Sequence, residues 1–343
     1  MKFDFVIGNP PYQEMYEGES TGANSIYDSF MTSAFAVSDR VELITPARFL
    51  FNAGSTPKAW NEQMLNDPHF KVLLFEHDSS KIFRNVDIKG GVAITYRDAN
   101  ANFGAIETFT PYEELNAIFH KVVRTEDFVS LSTVMVTSFA YHFTAKMHGD
   151  YPEAAEQMSK GHANDLKSSV FVRLPQIFFD EKPDDGNEYA RILGRENNER
   201  VYKYIRRDYI NDVVNFASYK VFLPKANGIG EFGEILASPI IGLPNDGSTE
   251  TFLSVGKFET KQEADNALAY IKTKFARALL GVLKVTQDIT PSKWQYVPLQ
   301  DFSSNAEIDW SKSICDIDQQ LYKKYNLDDK ESEFIEKYVK EME

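Results

Sequence analysis

The sequence predicts an α/β fold over residues 1–125, a mixed and loop-rich α/β region over 126–310, and a helical tail over 311–343. Three observations carry this division. Apolar runs of strand length alternate with segments of helical periodicity from residue 3 to residue 123, the pattern of a mostly parallel sheet with helices on its faces. From about residue 126 short apolar runs are interrupted by polar loops such as GHANDLKSS, FFDEKPDDGNE and GLPNDGST, a texture common in binding modules. The last stretch is strongly charged, with 12 acidic and 6 basic residues over 301–343.

The elements follow in order. FDFVIG (3–8) reads as a buried strand, and SIYDSFMTSAFAV (25–37) places Ile26, Phe30, Ala34 and Val37 at helical spacing. RVELITP (40–46) is a second strand closed by Pro46; a helix around 57–66 precedes the strands FKVLLFEH (70–77) and GVAITYR (91–97). YEELNAIFHKVV (112–123) is an amphipathic helix suited to closing the first domain. KQEADNALAYIKTKFARALLGVL (261–283) reads as the longest helix, and LDDKESEFIEKYVKE (327–341) as a terminal helix opened by the capping-box spacing of Asp328 and Glu331.

Composition narrows the function. The 343 residues are 43% hydrophobic and 13% aromatic, with 26 Phe and 17 Tyr, ample material for two cores. No apolar run is long enough to span a membrane and the start is too short and acidic for a signal peptide, so a cytoplasmic protein is expected. The lone Cys315 excludes an internal disulfide, and six scattered histidines without close pairing give no expectation of a metal centre. A net charge of −14 argues against a protein that simply coats nucleic acid. It leaves room for a local basic groove, since residues 200–225 carry six basic residues against two acidic ones.

The chemistry concentrates at Asn9-Pro10-Pro11-Tyr12, immediately after the first strand. The exocyclic amino group of adenine is a poor nucleophile because its lone pair is delocalised into the ring. Two acceptors on its hydrogens, the Asn9 side-chain oxygen and the Pro10 carbonyl, favour a pyramidal nitrogen that aims its lone pair at a methyl donor. Proline holds that carbonyl with φ near −65°, and Tyr12 offers an aromatic face to a base extruded from the duplex. The carboxyl end of a parallel strand is also where open α/β sheets bind ligands. The competing reading, a proline turn with a packed tyrosine, leaves Asn9 without a purpose.

FDFVIGNPPYQ resembles the catalytic motif of the adenine-specific DNA methyltransferases of restriction-modification systems. NSIYDSF (24–30) and VELITPARFL (41–50) resemble the segments that follow it in that family. KIFRNVDIKGGVAITYR (81–97) is similar to a later motif whose phenylalanine, here Phe83, contacts the flipped adenine opposite the tyrosine. The resemblance implies the C-terminal part of a Rossmann-like class I methyltransferase sheet. NFASYKVFLPKANGIGEFGE, the segment around 251–287 and WQYVPLQDF are similar to target-recognition regions of such enzymes. It therefore implies double-stranded DNA as substrate, with Lys220, Lys225, Lys272, Lys274 and Arg277 as phosphate contacts. Lys284, Gln287 and Trp294 could reach DNA as well, which the sequence leaves open.

The resemblance also implies S-adenosylmethionine, bound in that family by a glycine-rich turn upstream of the catalytic motif. Only eight residues precede Asn9, so the donor-binding turn is expected outside this chain, and FDFVIG, ordinarily a central strand, is expected to expose an edge. GIGEFG (228–233) matches a GxGxxG spacing but is stopped by Pro239 before a helix can form, so a loop is expected there. Three arrangements stay open: one part of a split enzyme whose partner is a donor-binding half or a restriction subunit, a truncated product, or a non-enzymatic DNA-binding or specificity subunit. A small-molecule or glutamine-modifying methyltransferase shares the motif but not the long second half.

Overall fold

A computed structural model describes residues 3–15, 23–84, 88–284 and 286–342. The chain divides into two compact units, Met1–Glu113 and Glu114–Glu343.

The first unit carries β1 (Val6–Gly8), β2 (Gln13–Met15), β3 (Ala23–Ser25), α1 (Tyr27–Val37), β4 (Arg40–Pro46), α2 (Lys58–Asn66), β5 (Phe70–Glu76) and β6 (Val92–Asp98). Four strands form one sheet in the order β1-β4-β6-β5, while β2 and β3 pair as a separate antiparallel ladder. β1 runs parallel to β4, with Val6 opposite Val41 and Gly8 opposite Leu43; β6 is antiparallel to both of its neighbours. The sheet is therefore mixed where a mostly parallel one was expected. β1, β4 and β5 share a direction, and β6 is inverted; among the described residues a 3₁₀ turn, Ser79–Lys81, and no crossover helix lies between it and β5.

Alternation along β4 separates the two faces of this sheet. Val41, Leu43 and Thr45 are buried, whereas Glu42 and Ile44 are only partly so. The buried face joins Tyr27 and Met31 of α1, Met64 and Leu65 of α2, and Phe49, Leu50 and Phe70 in one apolar cluster. Along the outer strand and the residues leading into it the opposite side stays open: Phe3 is 52% exposed, Phe5 44% and Ile7 71%. The second edge of β1 has no partner among the described residues.

The second unit holds α3 (Glu113–Val123, its first residue at the boundary), β7 (Met135–Val136), α4 (Ala145–Asp150), α5 (Ala154–Gln157), α6 (Val170–Arg173), β8 (Tyr189–Glu196) and β9 (Glu199–Arg206). It continues through β10 (Tyr219–Pro224), β11 (Ile240–Gly242), β12 (Asp246–Ser248), β13 (Phe252–Phe258), α7 (Lys261–Lys272), α8 (Lys274–Gly281), α9 (Ile314–Lys324) and α10 (Asp329–Tyr338). Two sheets result, β11-β10-β13-β7 and β12-β8-β9. β8 and β9 form a hairpin across Asn197-Asn198, both at positive φ, the backbone that a two-residue turn requires.

The single helix expected over 261–283 is two helices. Thr273 adopts extended ψ, and its hydroxyl accepts the Ala276 N–H at 3.1 Å, so one helix ends and another begins at that residue. Asp318 of α9 completes the break by accepting the N–H groups of Lys274 at 3.0 Å and Phe275 at 2.8 Å. The terminal helix opens with the capping box expected at Asp328 and Glu331. Among the described residues no helix is long and apolar enough to cross a membrane.

Candidate functional site

Strand directions bring the candidate residues of the first unit to one edge of its sheet. β1 ends at Gly8 beside Leu43, β4 ends at Pro46 opposite Val92, and β5 ends at Glu76 opposite the same Val92. Asn9-Pro10-Pro11-Tyr12, the 3₁₀ turn Arg48–Phe51 and the segment carrying Phe83 thus all leave the sheet at this edge. Asn9 and Pro11 are exposed, and the Asn9 amide engages none of the described residues. The Tyr12 carbonyl accepts the Ile26 N–H at 3.2 Å, which fixes the far end of the proline turn.

Tyr12 is half-buried against the cluster of Tyr27, Phe49 and Leu50. Its hydroxyl lies in the interior with no hydrogen-bond partner, and burial pushes its pKa up to about 12. Phe83 is also half-buried, its N–H donating to the Ser79 carbonyl at 2.8 Å. β1 and β5 are the outer strands, three strand spacings or roughly 14 Å apart, and Tyr12 and Phe83 lie beyond their ends. Gly91 lies beside the end of β4, where Ala47 donates to its carbonyl at 3.0 Å. Gly91 has positive φ, and any side chain there would collide with the backbone of Glu76 and His77.

Residues 1–83 match the Eco57I restriction-modification methylase family. This Eco57I-like segment contains both Asn9-Pro10-Pro11-Tyr12 and Phe83. An uncharacterised adenine-specific methylase of Mycoplasma pneumoniae is 30% identical over 96 residues, 27% of this chain. The match spans 22% of that relative's length. The type IIG restriction endonuclease BpuSI superposes over 86% of this chain and 44% of its own, at 8% identity and TM-score 0.34. The type IIL restriction-modification enzyme MmeI, solved in complex with DNA, covers 98% and 55% at 9% identity and TM-score 0.38. Likenesses that low carry no argument about this chain.

Outside the Eco57I-like segment, the cations expected on DNA divide sharply. Lys220 is fully buried, and its ammonium donates to the carbonyls of Phe216 (2.9 Å), Leu243 (3.3 Å) and Asp246 (2.8 Å). Arg277 is 2% exposed and donates to the carbonyls of Lys272, Glu234 and Lys340. Neither reaches a phosphate, because each carries an apolar stem that the second unit buries and a head that serves backbone acceptors. Lys284 and Trp294 are buried too, Lys284 against Glu234. Lys274 is ion-paired with Glu336, while Lys225, Lys272 and Gln287 retain solvent exposure.

The basic run 200–225 provides no free groove. Lys203 meets Asp180 and Glu196, Arg206 meets Asp208, Arg207 meets Asp212, and the Arg200 guanidinium donates to the Ser238 carbonyl. Sequence reasoning missed Phe139, which is 45% exposed and lies under the Lys225 ammonium at 4.7 Å from the ring centroid. No periodicity marks it, since it stands in an irregular segment.

The described residues do not fit the methyl donor. β1 runs into Pro10 and Pro11, and β4 into Pro46 and a 3₁₀ turn, so neither passes through a glycine-rich turn into a helix. GIGEFG is the loop expected from sequence: its Ile229 and Gly230 N–H groups are already accepted by the Glu234 carboxylate, at 2.9 and 3.1 Å. No helix follows it before β11.

Proposed function

We propose that this chain is the base-holding and DNA-recognition part of a site-specific DNA adenine methyltransferase in a restriction-modification system. The observation that carries the reading is Asn9-Pro10-Pro11-Tyr12 leaving the carboxyl end of a parallel strand, with Asn9 exposed and its amide engaging none of the described residues, inside the Eco57I-like segment. In this reading the Asn9 side-chain oxygen and the Pro10 carbonyl accept the two hydrogens of the adenine amino group and hold the nitrogen pyramidal. Pro10 and Pro11 restrict the backbone, so the acceptors need little reorganisation on binding. The Tyr12 ring stacks on the extruded base, and Phe83 approaches from the other side of the edge.

The donor is S-adenosylmethionine, and its pocket belongs to a segment beyond the described residues. The free edge of β1 and its uncovered Phe3, Phe5 and Ile7 favour a further strand pairing there, because parallel strands are ordinarily covered on both sides. A non-enzymatic DNA-binding or specificity subunit is the second reading, favoured by the lack of a donor-binding turn among the described residues.

The test is transfer of a labelled methyl group to duplex DNA by the chain assembled with a donor-binding segment, comparing wild type with Asn9→Ala. Transfer should be abolished, with thermal stability and DNA affinity retained because Asn9 is exposed. Near-normal turnover by the variant would remove Asn9 from the reaction. Calorimetry of the chain alone with S-adenosylmethionine should give no heat of binding; micromolar affinity would contradict the placement of the donor site.

A further inference from the structure

Ile229 is 82% exposed, more than any other large apolar side chain among the described residues. Isolated exposed hydrophobics are ordinary on protein surfaces, but this one tops a loop that is tied down at several points. Glu234 lies beneath the loop, ion-paired with Lys284 in the interior, and its two carboxylate oxygens accept the N–H groups of Ile229 and Gly230. Asn227 closes the base, donating to the Pro224 carbonyl at 2.6 Å and accepting the Ala237 N–H at 2.5 Å. Gly233 is tied to the chain end by the Lys340 N–H at 2.9 Å, and Phe232 packs 5.6 Å from Phe334. Gly228, Gly230 and Gly233 all have positive φ, and a side chain at Gly228 would strike the Glu234 carboxylate.

Charge around the loop is arranged asymmetrically. The loop's own exposed carboxylate, Glu231, is paired with Lys340 at 3.3 Å. Lys225, four residues before Ile229, has no carboxylate partner among the described residues, and its ammonium is oriented over the Phe139 ring. Lys167 shares that ring at 5.6 Å but is paired with Glu250. An exposed apolar tip on a tied-down loop, four residues along the chain from an oriented cation without a carboxylate partner among the described residues, is the combination used by proteins that drive a side chain between base steps while gripping the backbone.

We propose that the loop 228–233 is a prefolded wedge that inserts Ile229 into the base stack of a DNA duplex, with Lys225 on a flanking phosphate. Glu234 and Lys284 are positioning residues: they keep the tip erect, so little conformational freedom is lost on insertion. The inference rests on the reading of this chain as part of a DNA methyltransferase and assigns the second unit a role in distorting the duplex.

The test uses the full chain with random-sequence duplex pools, intact or carrying one abasic step at which stacking is already lost, titrated by electrophoretic shift over a range of salt. Wild type should bind and should prefer the abasic pool. Ile229→Ala should fold normally, bind about tenfold more weakly, lose that preference and keep the salt slope. Lys225→Ala should retain the preference and lower the slope by about one. If wild type binds and Ile229→Ala matches it on both pools, the wedge is overturned and the DNA reading stands. If wild type binds neither pool at any salt, the DNA reading fails, and the wedge with it.

Discussion

Lys220→Met separates a structural lysine from a DNA contact. Methionine keeps the length and apolar volume of the stem, so the change isolates the buried ammonium and the carbonyls of Phe216, Leu243 and Asp246 to which it donates. The Phe216 and Leu243 carbonyls keep the backbone N–H donors of Asn245 and Asp246, so the loss is of three charge-assisted hydrogen bonds, about 1.5–3 kcal/mol each. Against this, the variant no longer buries a charge. Desolvation pulls the Lys220 pKa from 10.5 down to about 8, equivalent to roughly 3 kcal/mol at about 1.4 kcal/mol per unit. The lost hydrogen bonds win, and a net destabilisation of about 3 kcal/mol at neutral pH is expected. The sign of its pH dependence follows from the direction of the shift. A base whose folded pKa is depressed contributes stability that is present above its unfolded pKa and lost as pH falls through the folded value. The gap between wild type and variant should therefore widen from pH 8 towards pH 10. Denaturant titrations across that range measure the gap, and salt-dependent DNA binding supplies the control, with an unchanged slope expected. A native-like midpoint combined with a slope reduced by about one would refute the burial argument and return Lys220 to the phosphate backbone.

Tyr12→Phe removes a buried hydroxyl that has no partner while keeping the ring, so it should stabilise the first unit by about 1 kcal/mol. Because the Tyr12 pKa is raised from 10.0 to about 12, the wild-type hydroxyl's contribution is intact below pH 10 and falls as pH rises through 12, so alkaline melts should favour the phenylalanine further. A lower melting temperature for Tyr12→Phe at pH 7 would mean that the hydroxyl has a partner after all. Asp318→Ala removes the acceptor for the first two N–H groups of α8 and should destabilise the second unit by about 1–2 kcal/mol at acidic pH. Burial raises the Asp318 pKa from 3.8 to about 6 despite those hydrogen bonds and Arg277, so its contribution is largest below pH 4 and shrinks as pH rises through 6. Thermal melts at pH 4.5 and pH 7.5 should show the larger deficit at the lower pH, and equal deficits would contradict this.

Much of the first unit could be read from residue pattern because its signals are local. The alternation of RVELITP, the helical spacing of 25–37 and the prolines after VIG each specify backbone within a few residues. The inversion of β6 was not readable, since the pattern of a buried strand is the same in either direction and only the pairing with β4 and β5 reveals it. In the second unit the break at Thr273 escaped the helical periodicity because it depends on Asp318, 45 residues further along the chain, reaching back to cap the second helix.

Chemistry followed the same line. Asn9-Pro10-Pro11-Tyr12 is contiguous, so the sequence by itself brought together the two acceptors proposed for an adenine amino group. A phosphate contact depends on exposure, which no single residue type carries. Lys220 and Arg277 have the charge for the task, yet folding enclosed their stems and turned their heads onto carbonyls, while Ile229, apolar by type, was left in water on a clamped loop. Only the tertiary structure decided which side chains face solvent, because burial is a property of what packs around a residue from distant parts of the chain.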